Sequence, residues 1–165
     1  MAKKIYIDPS KCTGCRSCEL VCSLKNEGLA NPVLSRIQNI AYKYEGQRIP
    51  TLCLQCEEPF CLAVCPVGAL DKDEKTGVVK LNQALCIGCR MCFMACPFGA
   101  IGINPRSGEV FKCELCDGDP ECVKACEDGA ITFDEPDVAL MNKKMKSIGS
   151  LSMLLEKYAV HQEVR

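Results

Sequence analysis

The chain has 165 residues, of which 16 are cysteine and one is histidine, and its formal net charge is −1. A cysteine content this high indicates a disulfide scaffold in a small secreted protein, but metal binding in a protein of the reducing cytoplasm. We expect the cytoplasmic case, because Met1 to Asp8 has no apolar run of signal-peptide length. We expect no membrane-spanning segment, because no stretch approaches the roughly 18 apolar residues of a membrane span, and no nucleic-acid binding, because no run is basic.

The first cysteine group follows a short apolar stretch that ends at Ile7. Its members are Cys12, Cys15, Cys18 and Cys22. Their spacing, C-x2-C-x2-C-x3-C, places three thiolates on one tight loop, where they can bind three corners of a cubane 4Fe-4S cluster while the fourth thiolate reaches a neighbouring cluster. Within the loop, Gly14 would let the backbone approach the cluster closely, and Arg16 would either offset the cluster's negative charge or remain solvated.

Residues 23–52 form an insertion without cysteine. It carries apolar residues from Leu24 to Tyr44 and a turn at Pro50. The ordinary interpretation is a connecting hairpin or helix that covers a cluster, and the alternative is a surface dedicated to a partner.

The second and third groups are linked by a repeat. Their members are Cys53, Cys56, Cys61, Cys65, and Cys86, Cys89, Cys92, Cys96. The segment Cys65–Leu70 (CPVGAL) matches Cys96–Ile101 (CPFGAI) at an offset of 31 residues. After each Cys-Pro turn the chain has a short apolar run, a loop ending at Gly77 or Gly108, and a second short apolar run. This pattern predicts a β-hairpin that leads into the next cysteine loop.

A second repeat relates the third group to the first. Ile7–Cys18 aligns with Leu81–Cys92, each with an apolar residue, a turn-forming Asp or Asn, and then C-x-G-C-R-x-C, so that Gly88 and Arg90 repeat the glycine and arginine of the first loop. Both repeats indicate duplicated small units rather than one large core. Because such short strands provide little apolar core, metal binding is expected to supply much of the folding free energy.

The fourth group and the C-terminal region complete the chain. The last cysteines are Cys113, Cys116, Cys122 and Cys126. One gap is longer here, as in the second group, but the loop of three thiolates is retained. Beyond it, apolar residues recur every three or four positions from Val138 to Tyr158 and predict a helix that packs on its own domain, docks on another subunit or binds a membrane surface. His161 is expected to be a solvated tail residue rather than a ligand.

The number of cysteines favours electron transfer without catalysis. Sixteen thiolates match the corners of four 4Fe-4S clusters and leave no iron open to substrate, and four clusters would bring the net charge to about −9. Structural zinc normally uses paired C-x2-C knuckles without a third cysteine two residues later, so a zinc-folded structural protein is a weaker alternative and a disulfide scaffold weaker still. The sequence holds no glycine-rich phosphate loop, dinucleotide fingerprint or nucleophile beside a histidine.

The fourth cysteines of the groups differ in the residue that comes directly after them. Cys22 and Cys126 lack the proline found after Cys65 and Cys96, so their neighbours keep backbone N–H groups that could bond to sulfur. Hydrogen bonds to sulfur raise a cluster's reduction potential, and carboxylates such as Glu127 lower it. We therefore predict that the two pairs of clusters differ in potential.

With these motifs the chain resembles, over about residues 5–135, the four-cluster electron-transfer subunits of molybdenum and tungsten oxidoreductases, typified by the iron-sulfur subunit of dimethyl sulfoxide reductase. The resemblance implies that the first group pairs with the fourth and the second with the third. It implies four ligand sets: Cys12, Cys15, Cys18 with Cys126; Cys113, Cys116, Cys122 with Cys22; Cys53, Cys56, Cys61 with Cys96; and Cys86, Cys89, Cys92 with Cys65.

The gap between Cys116 and Cys122 gives a narrower resemblance, to the polyferredoxin partners of tungsten aldehyde oxidoreductases or of carbon monoxide dehydrogenase. The implied partners are a catalytic subunit with a molybdenum or tungsten cofactor and a flavin or ferredoxin redox protein. A free polyferredoxin carrier that diffuses between enzymes is the alternative.

The predicted fold class is α+β, with duplicated ferredoxin-like modules of small hairpins and short helices and a C-terminal helix. Residues 1–22 with 105–135 would form the module of the outer cluster pair, and residues 53–104 the module of the inner pair. Residues 23–52 would be the connecting insertion and residues 136–165 a C-terminal helical extension.

Overall fold

The computed structural model of the chain describes residues 3–41, 46, 48–137, 141 and 145. Its strands are short: β1 Lys4–Ile7, β2 Ile37–Ala41, β3 Arg48–Leu52, β4 Leu70–Lys72, β5 Val79–Leu81, β6 Ile101–Ile103, β7 Val110–Lys112 and β8 Ile131–Asp134. Its α-helices are α1 Ser17–Glu27, α2 Phe60–Ala63, α3 Met91–Ala95 and α4 Glu121–Lys124. Single 3-10 turns span Pro9–Lys11 and Pro32–Leu34. The segment Leu115–Gly118 is a turn whose residues Leu115, Cys116 and Asp117 have positive φ. Within the described residues, the predicted mixture of small strands and few helices is confirmed.

The strands form separate antiparallel pairs rather than one sheet. β1 pairs with β8, with Ile7 opposite Ile131, and so joins the beginning of the chain to the end of the cysteine-bearing region. β2 pairs with β3, β4 with β5, and β6 with β7. An isolated two-stranded pair is at best marginally stable in water, so each pair must pack on something else.

The two repeated hairpins follow the Cys-Pro turns as predicted. In β4–β5, Leu70 lies opposite Leu81, and in β6–β7, Ile101 lies opposite Lys112. The 31-residue repeat therefore extends to the strand register. It also places Lys112 where the first hairpin has Leu81, so the two hairpins differ in charge at this position.

Each helix begins within or just after a cysteine loop. Arg16 precedes α1 with φ 65° and Arg90 precedes α3 with φ 64°, so the matched motifs turn the chain in the same way. α1 is the longest of the described helices and ends at Gly28, whose N–H donates to the Leu24 carbonyl at 3.0 Å in a left-handed C-cap. α1 packs on α4, and α2 packs on α3. The helix packing thus joins the first cysteine group to the fourth and the second to the third.

The described residues form two apolar cores that include cysteine side chains. The first core contains Cys18, Cys22, Ile37, Leu52, Val78, Cys113, Leu115, Cys122 and Ile131. The second contains Leu70, Val79, Cys92, Ile101 and Val110. Thiols occupy positions that an ordinary small domain would fill with aliphatic side chains, so whatever the thiols bind is part of the core.

The insertion between the first two groups contains the β2–β3 pair. Ile37 and Leu52, which face each other in this pair, are each only 1% exposed and anchor it in the first core. The β2–β3 pair of the insertion therefore packs on the cysteine-bearing part of the chain.

The expected domain boundaries remain predictions. The β6–β7 hairpin, Ile101–Lys112, spans the expected boundary between residues 104 and 105. The predicted C-terminal helix lies almost wholly outside the described residues; of that region, Met141 and Met145 are described, and both are exposed. Within the described ranges, no helix is long and apolar enough to cross a membrane.

Candidate metal centres

All four cysteine loops have a left-handed backbone conformation at the same position. The third position of each C-x-x-C segment has positive φ: 76° at Gly14, 49° at Gln55, 68° at Gly88 and 57° at Leu115. A left-handed conformation costs a residue with a side chain roughly 1–2 kcal/mol, and glycine avoids that cost. Because Gln55 and Leu115 adopt it nonetheless, the turn belongs to the C-x-x-C segment rather than to glycine.

One cavity is lined by the four cysteines of the first predicted set. Cys12, Cys15 and Cys18 come from the first group and Cys126 from the fourth, and all four line the same small cavity. Asn39 and Pro50 of the β2–β3 pair also line this cavity. The insertion therefore covers this site.

A second cavity is lined by the cysteines of the second predicted set. Cys113, Cys116 and Cys122 come from the fourth group and Cys22 from α1, and all four line the same small cavity. The chain thus exchanges its fourth cysteines between these two sites, since Cys22 and Cys126 each lie opposite the other group's loop.

The second and third groups meet at the other core. The side chains of Cys61, Cys65, Cys86, Cys92 and Cys96 pack against it or form part of it. The thiols of Cys53 and Cys61 both interact electrostatically with that of Cys96, which comes from the third group. Cys92 interacts in the same way with Cys86 and Cys89 of its own loop.

The second group also touches the fourth. Cys53 packs against the first core, and its thiol interacts electrostatically with that of buried Cys113. Among the cysteines, Cys15 and Cys89 are the exposed ones, and they belong to the first and third groups.

Several sulfur atoms accept hydrogen bonds. The Asn39 side-chain amide lies 3.5 Å from Cys12 Sγ, and the Arg36 backbone N–H donates to Cys22 Sγ at 3.3 Å. The N–H groups of Ala69 and Ala100 donate to the sulfurs of Cys65 and Cys96, at 3.3 and 3.4 Å. At Cys22, the following residue Ser23 lies inside α1, where its N–H belongs to the helix ladder, so the N–H that bonds to this sulfur comes from the insertion instead.

Burial dominates the acidity of the thiols. It raises the pKa of Cys18 to about 11, with the Glu19 carboxylate adding to the effect, and it raises the pKa of Cys113 to about 12. Burial likewise raises the pKa of Cys122. By contrast, hydrogen bonds from Ser17 lower the pKa of the exposed Cys15 thiol. Buried thiols must lose these protons to serve as metal ligands, so binding is coupled to proton release.

Sequence reasoning missed four residues at these sites: Asn39, Arg36, Gln55 and Lys112. Asn39 and Arg36 carry no signal, because they reach the cysteines only through the folding of the insertion. For Lys112 a signal exists: the 31-residue repeat aligns it with Leu81, and a lysine at an apolar repeat position is a departure that calls for a reason.

The residues present fit a 4Fe-4S cluster. Each of the two cavities has four thiols on its wall, the number of corners a cubane offers to the protein. Among the described residues, no group of three or more His, Cys, Asp and Glu side chains has the spacing of a site for a single metal ion.

Comparison with known families agrees with this chemistry. Residues 44–135 match the 4Fe-4S dicluster domain family, and residues 3–24 match a 4Fe-4S binding domain.

Three similar proteins are subunits of oxidoreductases by name. The chain is 44% identical over 124 residues to the polyferredoxin-like subunit of aliphatic sulfonate oxidoreductase from Pyrococcus furiosus, covering 75% of this chain and 71% of that one. It is 36% identical over 150 residues to the B subunit of the anaerobic dimethyl sulfoxide reductase of Escherichia coli, covering 78% and 71%. It is 40% identical over 131 residues to subunit beta of the NADH-dependent phenylglyoxylate dehydrogenase of Aromatoleum evansii, covering 77% of this chain but 29% of that one.

A solved structure is also similar in part. The active-site complex BamBC of benzoyl coenzyme A reductase with benzoyl-CoA contains a chain that aligns with 94% of this chain and 97% of its own length, at 26% identity and a TM-score of 0.49.

Proposed function

Because the chain belongs to the 4Fe-4S dicluster domain family, we propose that it conducts single electrons through four 4Fe-4S clusters as the iron-sulfur subunit of a multi-subunit oxidoreductase. The chain performs no bond chemistry of its own in this proposal. The family match, the relatives' names and the sixteen cysteines support it.

One observation carries the proposal: two cavities each lined by four cysteines contributed by two different groups. Three thiols come from one loop and the fourth from a distant part of the chain. Crossed ligation of this kind is typical of two-cluster ferredoxins. It brings two clusters close enough to exchange electrons, because each loop contributes to both.

We propose four ligand sets. Set one is Cys12, Cys15, Cys18 and Cys126; set two is Cys22, Cys113, Cys116 and Cys122; set three is Cys53, Cys56, Cys61 and Cys96; set four is Cys65, Cys86, Cys89 and Cys92. The two cavities support sets one and two directly. The packing of α2 on α3 and the approach of Cys96 to Cys53 and Cys61 support sets three and four.

The packing of Cys53 against the core that contains Cys113 supports a linear order in which set three follows set two. Sets one and four are then the ends of the chain of clusters, and these sets contain the exposed cysteines Cys15 and Cys89. An electron can enter at one end and leave at the other. The duplicated two-module organisation that the sequence predicts is part of this proposal.

The two ends present different surfaces although they come from the same repeated motif. Thr13 and Ser17 of the first loop correspond to Ile87 and Met91 of the third, while Leu20 and Met94, which also correspond, are both exposed apolar residues. Ile87, Met91 and Met94 are 66%, 49% and 79% exposed. Permanent subunit interfaces are more apolar than transient ones. We propose that the Cys89 end contacts the catalytic subunit and the polar Cys15 end a diffusing redox protein.

The proposed catalytic partner carries a molybdenum or tungsten cofactor. This follows the sequence resemblance, and the similarity to the B subunit of a dimethyl sulfoxide reductase supports it. The proposed partner at the other end is a flavin or ferredoxin protein. The cytoplasmic location expected from cysteine chemistry remains a prediction, which cell fractionation would test.

Iron and sulfide analysis of anaerobically purified protein, combined with a reductive titration followed by EPR, tests the core of the proposal. The expected result is about sixteen irons and sixteen sulfides per chain, with four one-electron centres. A colourless protein with zinc in place of iron would overturn it and establish the zinc-folded alternative.

Co-purification distinguishes the hypothesis of a complex subunit from that of a free carrier. The native protein should elute in a larger complex that contains molybdenum or tungsten, and Met94→Lys should release it while Thr13→Lys should not. A native protein that elutes alone would establish the free carrier. A complex that tolerates Met94→Lys would overturn the assignment of the Cys89 end.

A further inference from the structure

Lys112 is a buried cation with neutral partners. It lies on β7 and is 2% exposed. Its ammonium group donates to the backbone carbonyl of Val79 and, at 2.8 Å, to that of Cys113. In the part of the chain that the structure describes, no carboxylate forms an ion pair with it. Burying an ammonium group without an anionic partner is strongly unfavourable, so an anion is expected nearby.

The fold does not require a lysine at this position. In the duplicated hairpin the corresponding residue is Leu81, which takes the same place in the strand register. An aliphatic side chain therefore satisfies the packing of this hairpin. The packing of the hairpin therefore does not by itself account for the charge of Lys112.

The surroundings of Lys112 show which anions are within its reach. The Cys113 carbonyl that accepts from Lys112 also accepts from the Gln55 side chain at 2.8 Å, and Gln55 in turn accepts from the Val79 N–H at 2.9 Å. Gln55 sits between Cys53 and Cys56 in the second cysteine loop. Lys112 thus lies in the wall that separates the second cysteine loop from the fourth.

The ligand loops on both sides lie next to this charge. Lys112 donates to the carbonyl of Cys113, which belongs to set two, and the same carbonyl accepts from Gln55, which lies between Cys53 and Cys56 of set three. One ammonium group therefore adjoins two ligand sets.

We propose that Lys112 is the fixed countercharge shared by the two middle clusters, those of sets two and three, and that it stabilises their reduced forms. The inference rests on the function and ligand sets proposed above. Reduction adds one electron, and so one negative charge, to a cluster that is already anionic, and no bond is made or broken. A buried cation close to that charge favours the added electron, as a nearby cation favours the ionised form of an acid.

The position suits a linear relay. Each middle cluster has another anionic cluster on both sides, so without a cation the middle of the chain would be the least favourable place for an electron. End clusters have one neighbour each and lie closer to solvent, which screens their charge. A lysine between the middle clusters would keep their potentials near those of the ends.

The experiment compares purified holoprotein variants by EPR-monitored redox titration. Lys112→Met removes the charge and is expected to weaken electron binding at two of the four clusters at least tenfold, a fall of about 59 mV or more for a one-electron centre. Lys112→Arg keeps the charge and is expected to shift these potentials far less. Lys75→Met is the matched control, since it removes one lysine charge from the exposed β4–β5 turn.

The outcomes distinguish this inference from the function on which it rests. Iron content is measured first, and Lys112→Leu, which copies Leu81, replaces Lys112→Met if the methionine variant fails to load. A wild-type protein without four iron-sulfur centres would overturn the proposed function. If the protein has four centres but their potentials are unchanged in Lys112→Met and Lys112→Leu, only the proposed role of Lys112 as countercharge is overturned. The same holds if the potentials fall equally in Lys112→Arg or Lys75→Met.

Discussion

The side-chain amide of Gln55 donates a 2.8 Å hydrogen bond to the backbone carbonyl of Cys113. The two residues are 58 positions apart and belong to different cysteine loops. Gln55 is 4% exposed and holds a positive φ of 49°, so the bond fixes a buried side chain on a strained turn. This contact joins the second cysteine loop to the fourth.

Gln55→Leu is expected to destabilise the holoprotein by about 1–3 kcal/mol, because it leaves the Val79 N–H buried without an acceptor. The melting temperature, followed by cluster absorbance and circular dichroism, should fall by several degrees. Gln38→Leu on the exposed face of β2 is the control and should change it little. Equal melting temperatures for the two variants would contradict the role of the Gln55 bridge.

Asn39→Ala is expected to lower the potential of one cluster. Asn39 donates to Cys12 Sγ at 3.5 Å, and an N–H group near sulfur favours the reduced cluster. A hydrogen bond of about 1 kcal/mol corresponds to about 40 mV for a one-electron centre. Asn26→Ala, which removes a contact to Cys22 Sγ at 3.7 Å, should affect a different cluster. Redox titration with EPR detection distinguishes them, and a shift of the same centre by both variants would disprove the separation of sets one and two.

Removal of cysteines tests crossed ligation. Cys126→Ala should eliminate or convert the same EPR signal as Cys15→Ala, and a different signal from Cys122→Ala, although Cys122 is the nearer neighbour in sequence. The reason is that Cys126 shares a cavity with the first group and Cys122 does not. The double variant Cys15→Ala with Cys126→Ala should lose no more clusters than either single variant. An additive loss would mean that the two thiols serve separate clusters.

Cluster retention is expected to depend on pH. Burial raises the pKa of Cys18 to about 11 and also raises that of Cys122, so both thiols take up a proton when iron leaves near neutral pH. Protons therefore compete with iron, and the competition strengthens as pH falls. Chelator-induced bleaching should go further at about pH 6 than at about pH 8 at the same chelator concentration. Retention independent of pH over this interval would argue against buried, protonated thiols in the metal-free sites.

Gly102→Ala is expected to strain the β6–β7 hairpin. A Cβ atom at Gly102 would approach two ring atoms of Phe111, the residue opposite it in the strand register, too closely for the ring to stay in place. The ring, whose centroid lies 5.5 Å from the Arg36 guanidinium, would have to shift. Overpacking of this kind costs about 1–3 kcal/mol. Asp71→Ala is the control, because Asp71 occupies the corresponding position of the β4–β5 hairpin and is exposed. Its melting temperature in thermal unfolding should stay near that of the wild type.

Much of the local structure could be predicted from sequence patterns. The Cys-Pro turns predict the β4–β5 and β6–β7 hairpins, and both form as expected. The repeated C-x-G-C-R-x-C motif predicts similar loops in the first and third groups, and Gly14 and Gly88 both have positive φ. Such features depend on residues close in sequence, so a short pattern carries enough information to specify them.

Other features escaped sequence reasoning because they join distant segments. Pairing of β1 with β8 brings residues 4–7 to residues 131–134, and no local pattern specifies that partner. The third position of the second and fourth loops is Gln55 or Leu115, so the left-handed turn was not visible there. At Gln55 and Leu115 the surrounding packing imposes a backbone conformation that the residue type alone disfavours.

The amino-acid sequence by itself determined the chemistry: sixteen thiols in four loops, at spacings that suit cubane clusters and no other common metal site, because ligand geometry within a loop depends only on short spacings. The tertiary structure decided which loops face one another, that Asn39 and Arg36 reach sulfur atoms, and that Lys112 is buried between two cysteine loops. Those relationships arise from contacts between segments far apart in sequence, and electrostatic effects on a cluster depend on such distances and on burial rather than on residue order.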